Sequence, residues 1–511
     1  RLIRRQRQMC IRDRKIGTGG HGHVFVGANV PFGLVQVGPT SIPQTWDWCS
    51  GYHASDSTVI GFSHTHLSGT GIGDLFDITV MPVVGEVTYA RGEEKDPASG
   101  LWSYADRTQE IVRPGYYSVP LVRYDVTAEM TATERVGLHR YTFPASDAAA
   151  VVFDLENGGC WDKATDTGFR FSDDSTRIAG WRYSTGWAKD QKVYFVAEFS
   201  KPAKGISYLQ PGEPDDSKMP RIVARYARVD FDTAEGEQLL VKVALSPVSI
   251  EGAKANLAEE LPGWDFDTTV AAADKAWNDE LSKVKIETED ETSKRIFYTA
   301  LYHTMVAPSL FCDVNGDYRG ADGKVHENLG RDTYTTFSLW DTYRAAMPLM
   351  TVLHPERMPD IIQTMLHIAD EQGRLPVWHL WGNETDCMVG NPGIVAVADA
   401  IVKGIGGFDR EKAFEAIRKT AMNPDRGNGL RMEYGYIPCE MFNEAVAYDM
   451  EYALADGAAA RAAETLGKAE DAKYFEERSH SYRNYFDPQT GFMRGRDSRK
   501  GWRTPFNAFA S

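Results

Sequence analysis

The sequence has few cysteines, and none of them lie at the spacing of a metal site. Six cysteines are scattered over 511 residues without a Cys-x-x-Cys pair. This distribution excludes both a zinc framework and a dense disulfide scaffold. Long apolar runs are also missing, because none approaches the roughly 18 residues of a membrane helix. We therefore expect a chain without a membrane-spanning segment.

Positive charge is scarce as well. The net charge is −16 and the isoelectric point is about 5.3. No basic stripe could neutralise the phosphates of a nucleic acid, which excludes nucleic acid as a partner. An acidic surface suits a neutral substrate better than an anionic one.

The first fourteen residues are positively charged, unlike the rest of the chain. They hold six arginines and one aspartate, net +5, which leaves −21 for the rest of the chain. They lack the apolar core of a secretory signal. Residues 1–14 resemble a translated sequencing-adapter fragment, with a native basic tail as the alternative. We exclude them from the fold prediction.

Aromatic side chains are plentiful, at 11% of the chain with 12 Trp. They concentrate with charged side chains in the segments 331–344 and 375–393. An aromatic ring stacks on the C–H face of a sugar, and carboxylates and guanidinium groups bind its hydroxyls. The structural alternative places Trp340 and Trp378 in the core and pairs Asp341 with Arg344. Because buried charged groups are rare unless paired or functional, the two segments together favour a sugar site.

Two segments near the N-terminus are rich in glycine and histidine. Residues 17–23 lack the Lys-Ser/Thr of a phosphate loop, and so indicate a tight loop where backbone can approach a ligand. His64 and His66 would share one face of a strand. Two histidines do not make a zinc site, so these are either hydrogen-bonding groups at a cleft or structural histidines.

A period of two dominates residues 75–250. Its clearest run extends from Val122 to Thr133, with apolar and polar residues alternating. Further strands are predicted at 149–155, 193–199, 222–231 and 239–245, and residues 31–39 are strand-like. Many strands with almost no helix predict an antiparallel β-sandwich over residues 15–251.

The period becomes helical near residue 252. We interpret residues 252–290 as linker helices and residues 291–511 as a helical domain of about seven helices. Within it we expect helices at 340–353, at 392–404, 410–422, 444–466 and 468–485, and one with Pro355 near its first turn. Helix pairs with polar loops predict an α/α toroid. A toroid of six pairs needs twelve helices, so we expect the domain to be incomplete at Ser511, with a smaller complete domain as the alternative.

Several motifs in a fixed order carry a resemblance over residues 16–511. The motifs are Gly17–Gly22, Pro31–Gly33, Trp46–His53, Phe62–Gly69, Ser338–Arg344 and Asn383–Gly390. Together they resemble glycoside hydrolase family 92, the calcium-dependent exo-acting α-mannosidases. The resemblance implies an α+β multidomain chain, with an N-terminal β-sandwich followed by an (α/α)6 barrel that is only partial here.

The resemblance also implies a mechanism. The active site of this family lies between the two domains, where a Glu acts as general acid and an Asp pair activates water. The reaction inverts the anomeric carbon, which needs roughly 6.5–9.5 Å between the carboxyl groups. Calcium binds hydroxyls of the mannose, as its flexible oxygen coordination allows. No segment matching these catalytic carboxylates precedes Ser511, so we expect the acid, the base and most calcium ligands to be absent.

What remains by resemblance is a substrate-binding set. Trp46, Asp47 and Trp48 would shape the pocket rim, and His64 and His66 would line the domain interface. Trp340, Asp341 and Arg344 would hold the terminal mannose, with Glu384 and Asn391 nearby. Many relatives carry a His near Asn391 that is missing here, which leaves the linkage preference open.

The sequence therefore predicts an exo-α-mannosidase that trims mannose-containing glycans such as N-glycans, most often at α-1,2 linkages. We expect the chain by itself to be inactive. By resemblance the protein is exported to the periplasm or cell surface of a bacterium. A disaccharide phosphorylase and a non-catalytic glycan-binding protein are the alternatives.

Overall fold

The computed structural model describes residues 15–209, 222–328 and 330–509. The adapter-like segment 1–14 and the chain end at Ser511 lie outside them. The chain divides into two compact units. The first runs to Arg319 and includes Val325–Gly330, and the second comprises Gly320–Lys324 and the residues from Arg331 onward. We call them the β unit and the helical unit.

The β unit is built mainly from antiparallel strands. In chain order these are β1 (Gly38–Thr40), β2 (Thr58–Val59), β3 (Gly61–Ser63), β4 (Thr79–Val84), β5 (Ser103–Tyr104), β6 (Ile111–Arg113), β7 (Tyr116–Leu121), β8 (Val126–Ala132), β9 (Val136–Phe143), β10 (Ser146–Asp154), β11 (Lys163–Phe171), β12 (Arg177–Thr185), β13 (Gln191–Phe199), β14 (Gly205–Leu209), β15 (Ile222–Val223), β16 (Tyr226–Thr233), β17 (Glu237–Ser246), β18 (Ser309–Leu310), β19 (Asp317–Arg319) and β20 (Val325–Glu327). A six-stranded sheet has the order β1-β3-β4-β10-β16-β14, and a nine-stranded sheet has the order β15-β11-β12-β13-β17-β9-β8-β7-β6.

Aromatic rings from the two large sheets meet in a common core. Phe62 on β3 lies 6.5 Å from the ring of Tyr141 on β9, and Phe153 on β10 stacks at 5.8 Å on Phe195 of β13. Such pairs add about 0.5–1.5 kcal/mol each beyond the area that they bury. The two sheets therefore pack face to face, and the predicted β-rich N-terminal region is confirmed.

The prediction of one long strand from Val122 to Thr133 is wrong for its first four residues. Residues 122–125 form the turn between β7 and β8, with Asp125 at φ +51° and Val122 62% exposed. Tertiary hydrogen bonds override the local alternation, because the hydroxyl of Tyr124 donates to the Leu101 carbonyl at 2.7 Å.

Two other predicted strands also differ. In the strand-like segment 31–39, strand begins only at Gly38. Phe32 has φ +59°, and its N–H donates to the Met305 carbonyl at 2.9 Å, so this backbone bonds outside the sheets. The segment 222–231 forms two strands, and β15 and β16 belong to different sheets.

Three helices that follow β17 belong to the β unit, the first two where the sequence predicted a linker over 252–290 and the third where it predicted the start of the helical domain at 291. They are α1 (Ile250–Glu260), α2 (Phe266–Leu281) and α3 (Glu291–His303). Leu257, Phe266 and Val270 share a buried cluster with Leu138 of β9. The apolar stripe that suggested a helix therefore packs on the nine-stranded sheet and does not serve as a free linker.

The helical unit contains the remaining elements. Its helices are α4 (Leu339–Thr342), α5 (Ala346–Leu353), α6 (Met358–Gln372), α7 (Pro392–Val402), α8 (Arg410–Ala421), α9 (Asn428–Tyr434), α10 (Ala445–Thr465) and α11 (Ala469–Arg478). Its short strands are β21 (Tyr334–Thr335), β22 (Phe337–Ser338), β23 (Trp378–Leu380), β24 (Asn383–Glu384), β25 (Phe486–Asp487) and β26 (Phe492–Met493). A β-rich region followed by a helical region is thus confirmed.

A proline explains one correction in this unit. The single helix predicted at 340–353 is divided into α4 and α5, and Pro348 lies in the first turn of α5. Proline is tolerated there because the first turn has no internal N–H bonds to lose. Pro355 lies shortly before α6, near its first turn as predicted, and the first turn itself contains Pro359. The short helix α9 was not predicted.

A buried ion network ties α9 to α10. Arg431 donates to Asp449 and to Asp456, each at 2.6 Å, and both carboxylates belong to α10. Burying three charges is tolerated only when they are paired, so this network fixes the register of the two helices. Among the described residues, no helix has the length and hydrophobicity to cross a membrane.

Candidate functional site

The predicted rim residues of the β unit lie on a short 3-10 helix, Trp46–Trp48. The Trp46 side chain is 51% exposed, and its Nε1 donates to the Gly71 carbonyl at 2.9 Å. A Cβ added at Gly71 would lie 2.3 Å from the indole ring. Glycine at position 71 therefore allows the ring to approach the backbone closely, while half of Trp46 stays exposed.

Asp47 lies between two histidines of the glycine-rich loop. His21 Nδ1 is 2.6 Å and His23 Nε2 is 3.3 Å from the same oxygen, Oδ1. The hydrogen bond from His21 is the main cause that lowers the pKa of Asp47, and His23 adds to it. The carboxylate is therefore ionised at neutral pH, and both imidazoles must donate to it.

Trp48 has a structural environment. Its Nε1 donates to Asp56 Oδ2 at 2.7 Å, and its ring stacks on His53 with 4.2 Å between the ring centres. Both the ring face and the N–H are thus engaged by protein. The predicted substrate contact of Trp48 stays a prediction.

His64 and His66 lie inside the β unit. His64 Nδ1 is 2.6 Å from the Ile78 carbonyl, and its Nε2 is 2.9 Å from Nε2 of His139. His66 Nδ1 is 2.8 Å from the Gln36 carbonyl. Burial lowers the pKa of His64 to about 4 and that of His66 to about 3, so both are neutral. A substrate contact at His64 would need one of these bonds to break.

The helical unit presents the second set of predicted residues around a three-stranded sheet of β22, β23 and β24. Phe337, His379 and Glu384 are paired across these strands. The Glu384 carboxylate accepts the N–H groups of Val377 at 2.8 Å and Trp378 at 2.9 Å. Burial raises the pKa of Glu384, but these backbone bonds outweigh it and the net shift is downward. Glu384 therefore fixes the strand–loop connection as an ionised anchor.

Arg344 pairs with a residue that the sequence did not indicate. Its NH2 donates to Glu451 Oε1 at 2.6 Å, and the hydroxyl of Tyr343 donates to Glu451 Oε2 at 2.8 Å. The guanidinium lies 4.5 Å over the Trp340 ring. The structural alternative, a buried Asp341–Arg344 pair, is wrong, because Asp341 is exposed and accepts from the Ser338 hydroxyl.

The loop before α7 packs against this cluster. Gly390 has φ +80°, and a Cβ there would lie 2.4 Å from Cβ of Glu451. Arg426 donates to the Gly390 carbonyl at 2.7 Å, which fixes the loop on the other side. Asn391 follows as the buried residue before α7, with no side-chain cap hydrogen bond. The helical unit thus brings together Trp340, Asp341, Arg344 and the loop that carries Asn391.

This arrangement offers complementary groups to a polyhydroxylated ligand. Asp341 supplies an exposed acceptor, Arg344 a donor, and Trp340 an aromatic surface. Metal ligands are less evident. Within either unit taken alone, the described residues bring no three carboxylate, imidazole or thiolate ligands together.

Three contributors were missed by sequence reasoning. Glu451 is separated from Arg344 by more than a hundred residues, so no local pattern connects them. His21 and His23 lie in the glycine-rich loop, and their contact with Asp47 joins two segments that no local pattern connects. The described contacts divide the candidate residues into one cluster in each unit.

Comparison with known proteins agrees with both units. A model described as the glycosyl hydrolase family 92 N-terminal domain matches residues 13–246, and one described as the family 92 catalytic domain matches residues 252–511. A protein of Arthroderma benhamiae named an uncharacterized secreted glycosidase is 25% identical, and the match covers 95% of this chain and 63% of that protein.

Solved structures from Bacteroides thetaiotaomicron are also similar. The family GH92 α-mannosidase BT3965, in complex with mannoimidazole, is 38% identical with a TM-score of 0.93, covering 98% of this chain and 67% of its own. The inverting mannosidase BT2199 is 29% identical with a TM-score of 0.83, covering 95% of this chain and 66% of its own. The chain thus spans about two thirds of the length of these relatives.

Proposed function

The chain belongs to glycosyl hydrolase family 92, and we propose that the protein is an exo-acting α-mannosidase that removes terminal mannose from glycans. The observation that carries the substrate class is the 38% identity to an α-mannosidase whose structure holds mannoimidazole. Membership of a hydrolase family disfavours the disaccharide phosphorylase alternative.

The two clusters support recognition of a pyranose. In the helical unit, the Arg344 guanidinium is held by Glu451 and lies over the Trp340 ring, beside the exposed Asp341. In the β unit, the half-exposed Trp46 directly precedes the ionised Asp47 on the same 3-10 helix. Charge-assisted hydrogen bonds beside apolar faces suit sugar hydroxyls and C–H faces.

Binding of mannoimidazole tests the substrate class without requiring turnover. We expect calorimetric titration of the chain to give saturable binding, and the epimeric glucoimidazole to bind at least tenfold more weakly. Asp341→Asn removes a charged acceptor and is expected to weaken mannoimidazole binding by about tenfold. Equal binding of the two imidazoles would contradict the mannose assignment.

The finer chemistry is a proposal from the family resemblance. We propose α-1,2 linkages and an inverting reaction, and one relative is named an inverting mannosidase. The catalytic-domain model matches residues 252–511. The expectation that the chain by itself is inactive stays a prediction. Mannose release from α-1,2-mannobiose by this chain, above a no-enzyme control, would contradict it.

Calcium dependence is likewise proposed from the family resemblance. Within the described residues of either unit alone, no three carboxylate, imidazole or thiolate ligands come together. The test is mannoimidazole titration of the chain with EDTA and again after Ca2+ is added back, and loss and recovery of affinity would support calcium binding. Binding that EDTA leaves unchanged would remove calcium from the proposal.

Export is proposed as well. A similar fungal protein is named a secreted glycosidase, and the family resemblance implies the periplasm or cell surface of a bacterium. Fractionation of the source cells with an antibody to the chain tests this location. Recovery only with the cytosolic fraction would contradict it.

A further inference from the structure

One surface of the β unit combines an exposed aromatic ring with a carboxylate that is held from one side. We call it the Trp46 platform, and it consists of His21, His23, Trp46, Asp47 and Gly71. The glycine-rich loop contributes the histidines, and the 3-10 helix contributes the ring and the carboxylate. Neither segment alone would form a site, and their convergence is a property of the fold.

The aromatic ring of the platform is fixed at three points. Trp46 Nε1 donates to the Gly71 carbonyl, the ring lies where Gly71 has no side chain, and the centre of the His23 ring lies 4.2 Å from that of Trp46 at an interplanar angle of 72°. Half of the side chain nevertheless stays exposed, at 51%. A rigid exposed indole loses little entropy when a ligand stacks on it, which favours binding.

The carboxylate of the platform is held through one oxygen. Both His21 and His23 contact Oδ1 of Asp47. Within the described residues of the β unit, no donor is in hydrogen-bonding contact with the other oxygen, Oδ2. Asp47 keeps 21% of its side chain exposed and follows the half-exposed Trp46 on the 3-10 helix. The two imidazoles thus orient an ionised acceptor without occupying it.

The backbone of the glycine-rich loop adopts the conformation that brings His21 and His23 to Asp47. His23 has φ +53°, a left-handed conformation that is uncommon for residues other than glycine. Its carbonyl accepts from the Gly69 N–H at 2.8 Å, which holds the loop against the segment that carries Gly71. A Cβ at Gly22 would lie 2.0 Å from the Gly17 carbonyl oxygen, so this turn requires glycine. Such local strain is retained where the surrounding contacts fix it, often at functional sites.

We propose that His21 and His23 are positioning residues of a sugar-binding subsite on the Trp46 platform. They orient Asp47 so that Oδ2 accepts a hydroxyl of a pyranose ring stacked on Trp46. The inference rests on the proposed function and adds two residues and their role to it. His21 and His23 act through Asp47 and need not touch the sugar.

The test measures binding of methyl α-D-mannopyranoside by calorimetric titration. His21 is 77% exposed, so His21→Ala leaves folding intact and is expected to weaken binding about tenfold, the usual effect of losing a charge-assisted bond. His21→Asn retains a donor where Nδ1 stands and is expected to restore most of the affinity. In an Asp47→Asn background, His21→Ala is expected to add no further loss. His480→Ala, a partly exposed histidine of the helical unit, is the matched control.

Each outcome decides the inference. Unchanged binding by His21→Ala, or an equal loss by His480→Ala, would overturn it and leave the mannosidase proposal standing. If a glucoside or galactoside binds in place of the mannoside and loses affinity in His21→Ala, the inference stands and the mannose assignment fails. If no methyl pyranoside binds the wild-type chain, the inference is overturned, and the mannoimidazole titration decides the function separately.

Discussion

At the scale of single residues, Arg344 combines contacts that no other side chain type could make together. Its NH2 donates to Glu451, its Nε donates to the Trp340 carbonyl at 3.2 Å, and its plane lies over the Trp340 and Tyr343 rings. Lysine has a single ammonium group and cannot replace a planar fork that also stacks.

Arg344→Lys is therefore expected to lower the affinity for mannoimidazole about tenfold or more. Because the Arg344 side chain is 42% exposed, the free energy of unfolding should change by less than about 1 kcal/mol. Titration and urea unfolding measure the two effects. Arg461→Lys, which alters an exposed arginine of α10 with its own acidic partners, is the control and should change neither. Wild-type affinity in Arg344→Lys would remove Arg344 from the site.

The same residue shows what a sequence can and cannot predict. The density of Trp, Asp and Arg in residues 331–344 indicated a polar site, because such groups are costly to bury without a purpose. The partner of Arg344 could not be predicted, since Glu451 reaches it only through the packing of α10. For Asp341 the local pattern suggested Arg344 as its partner, but the nearer Ser338 hydroxyl takes that role.

At the scale of elements, the loop before α7 sets the position of Glu451. Gly390→Ala would combine a positive φ with a Cβ placed 2.4 Å from Cβ of Glu451. We expect a loss of about 2–4 kcal/mol in the free energy of unfolding, from strain and overpacking together, and a weaker affinity for mannoimidazole because Glu451 is displaced from Arg344.

Gly373→Ala separates the two causes. Gly373 has φ +89°, but its added Cβ would meet nothing within 4 Å. This control should therefore cost only about 1–2 kcal/mol of stability, the strain of the left-handed conformation, and should leave the affinity unchanged. Urea unfolding and titration compare the variants. If Gly390→Ala and Gly373→Ala change stability and affinity equally, the contact of residue 390 with Glu451 affects neither.

Elements were predicted well where periodicity and burial agree. The helix predicted at 444–466 is α10 within one residue at each end, because its small apolar residues are buried. Predictions failed where a single long-range contact overrides a pattern, as in the turn at residues 122–125, where Tyr124 bonds to Leu101. The helices α1 and α2 were found, but their membership of the β unit depends on packing that the sequence does not display.

At the scale of the whole molecule, the balance of buried titratable groups determines how stability depends on pH. Asp74 is fully buried, and burial raises its pKa to about 7, with Asp162 and Asp77 adding negative charge nearby. Burial lowers the pKa of His64 to about 4 and that of His66 to about 3. Above pH 4 the contributions of Asp74 and of the two histidines to the pH dependence of stability have opposite signs. The pH profile of the wild type alone therefore does not isolate any of them.

The sign for Asp74 follows from proton linkage. Between pH 4 and 7 the folded state holds a proton at Asp74 that the unfolded state has released, so this carboxyl makes the free energy of unfolding fall as pH rises. The neutral histidines act oppositely, because the unfolded state binds the additional protons below about pH 6.5. At roughly 1.4 kcal/mol per pKa unit, the contribution of Asp74 over this range is on the order of 4 kcal/mol.

Asp74→Asn replaces the carboxyl with a neutral group that still accepts from the Ala188 N–H, now 2.9 Å from Asp74 Oδ2. We expect the variant to become more stable relative to wild type as pH rises from 4.5 to 7.5, by a few kcal/mol. Urea unfolding at four pH values measures this difference, in which the histidine contributions cancel. Asp190→Asn, at a 62% exposed carboxylate beside β13, is the control and should give a curve parallel to wild type. If the Asp74→Asn curve is also parallel, the carboxyl is ionised throughout, and Asp74 must be stabilised by a cation or donor that offsets its burial.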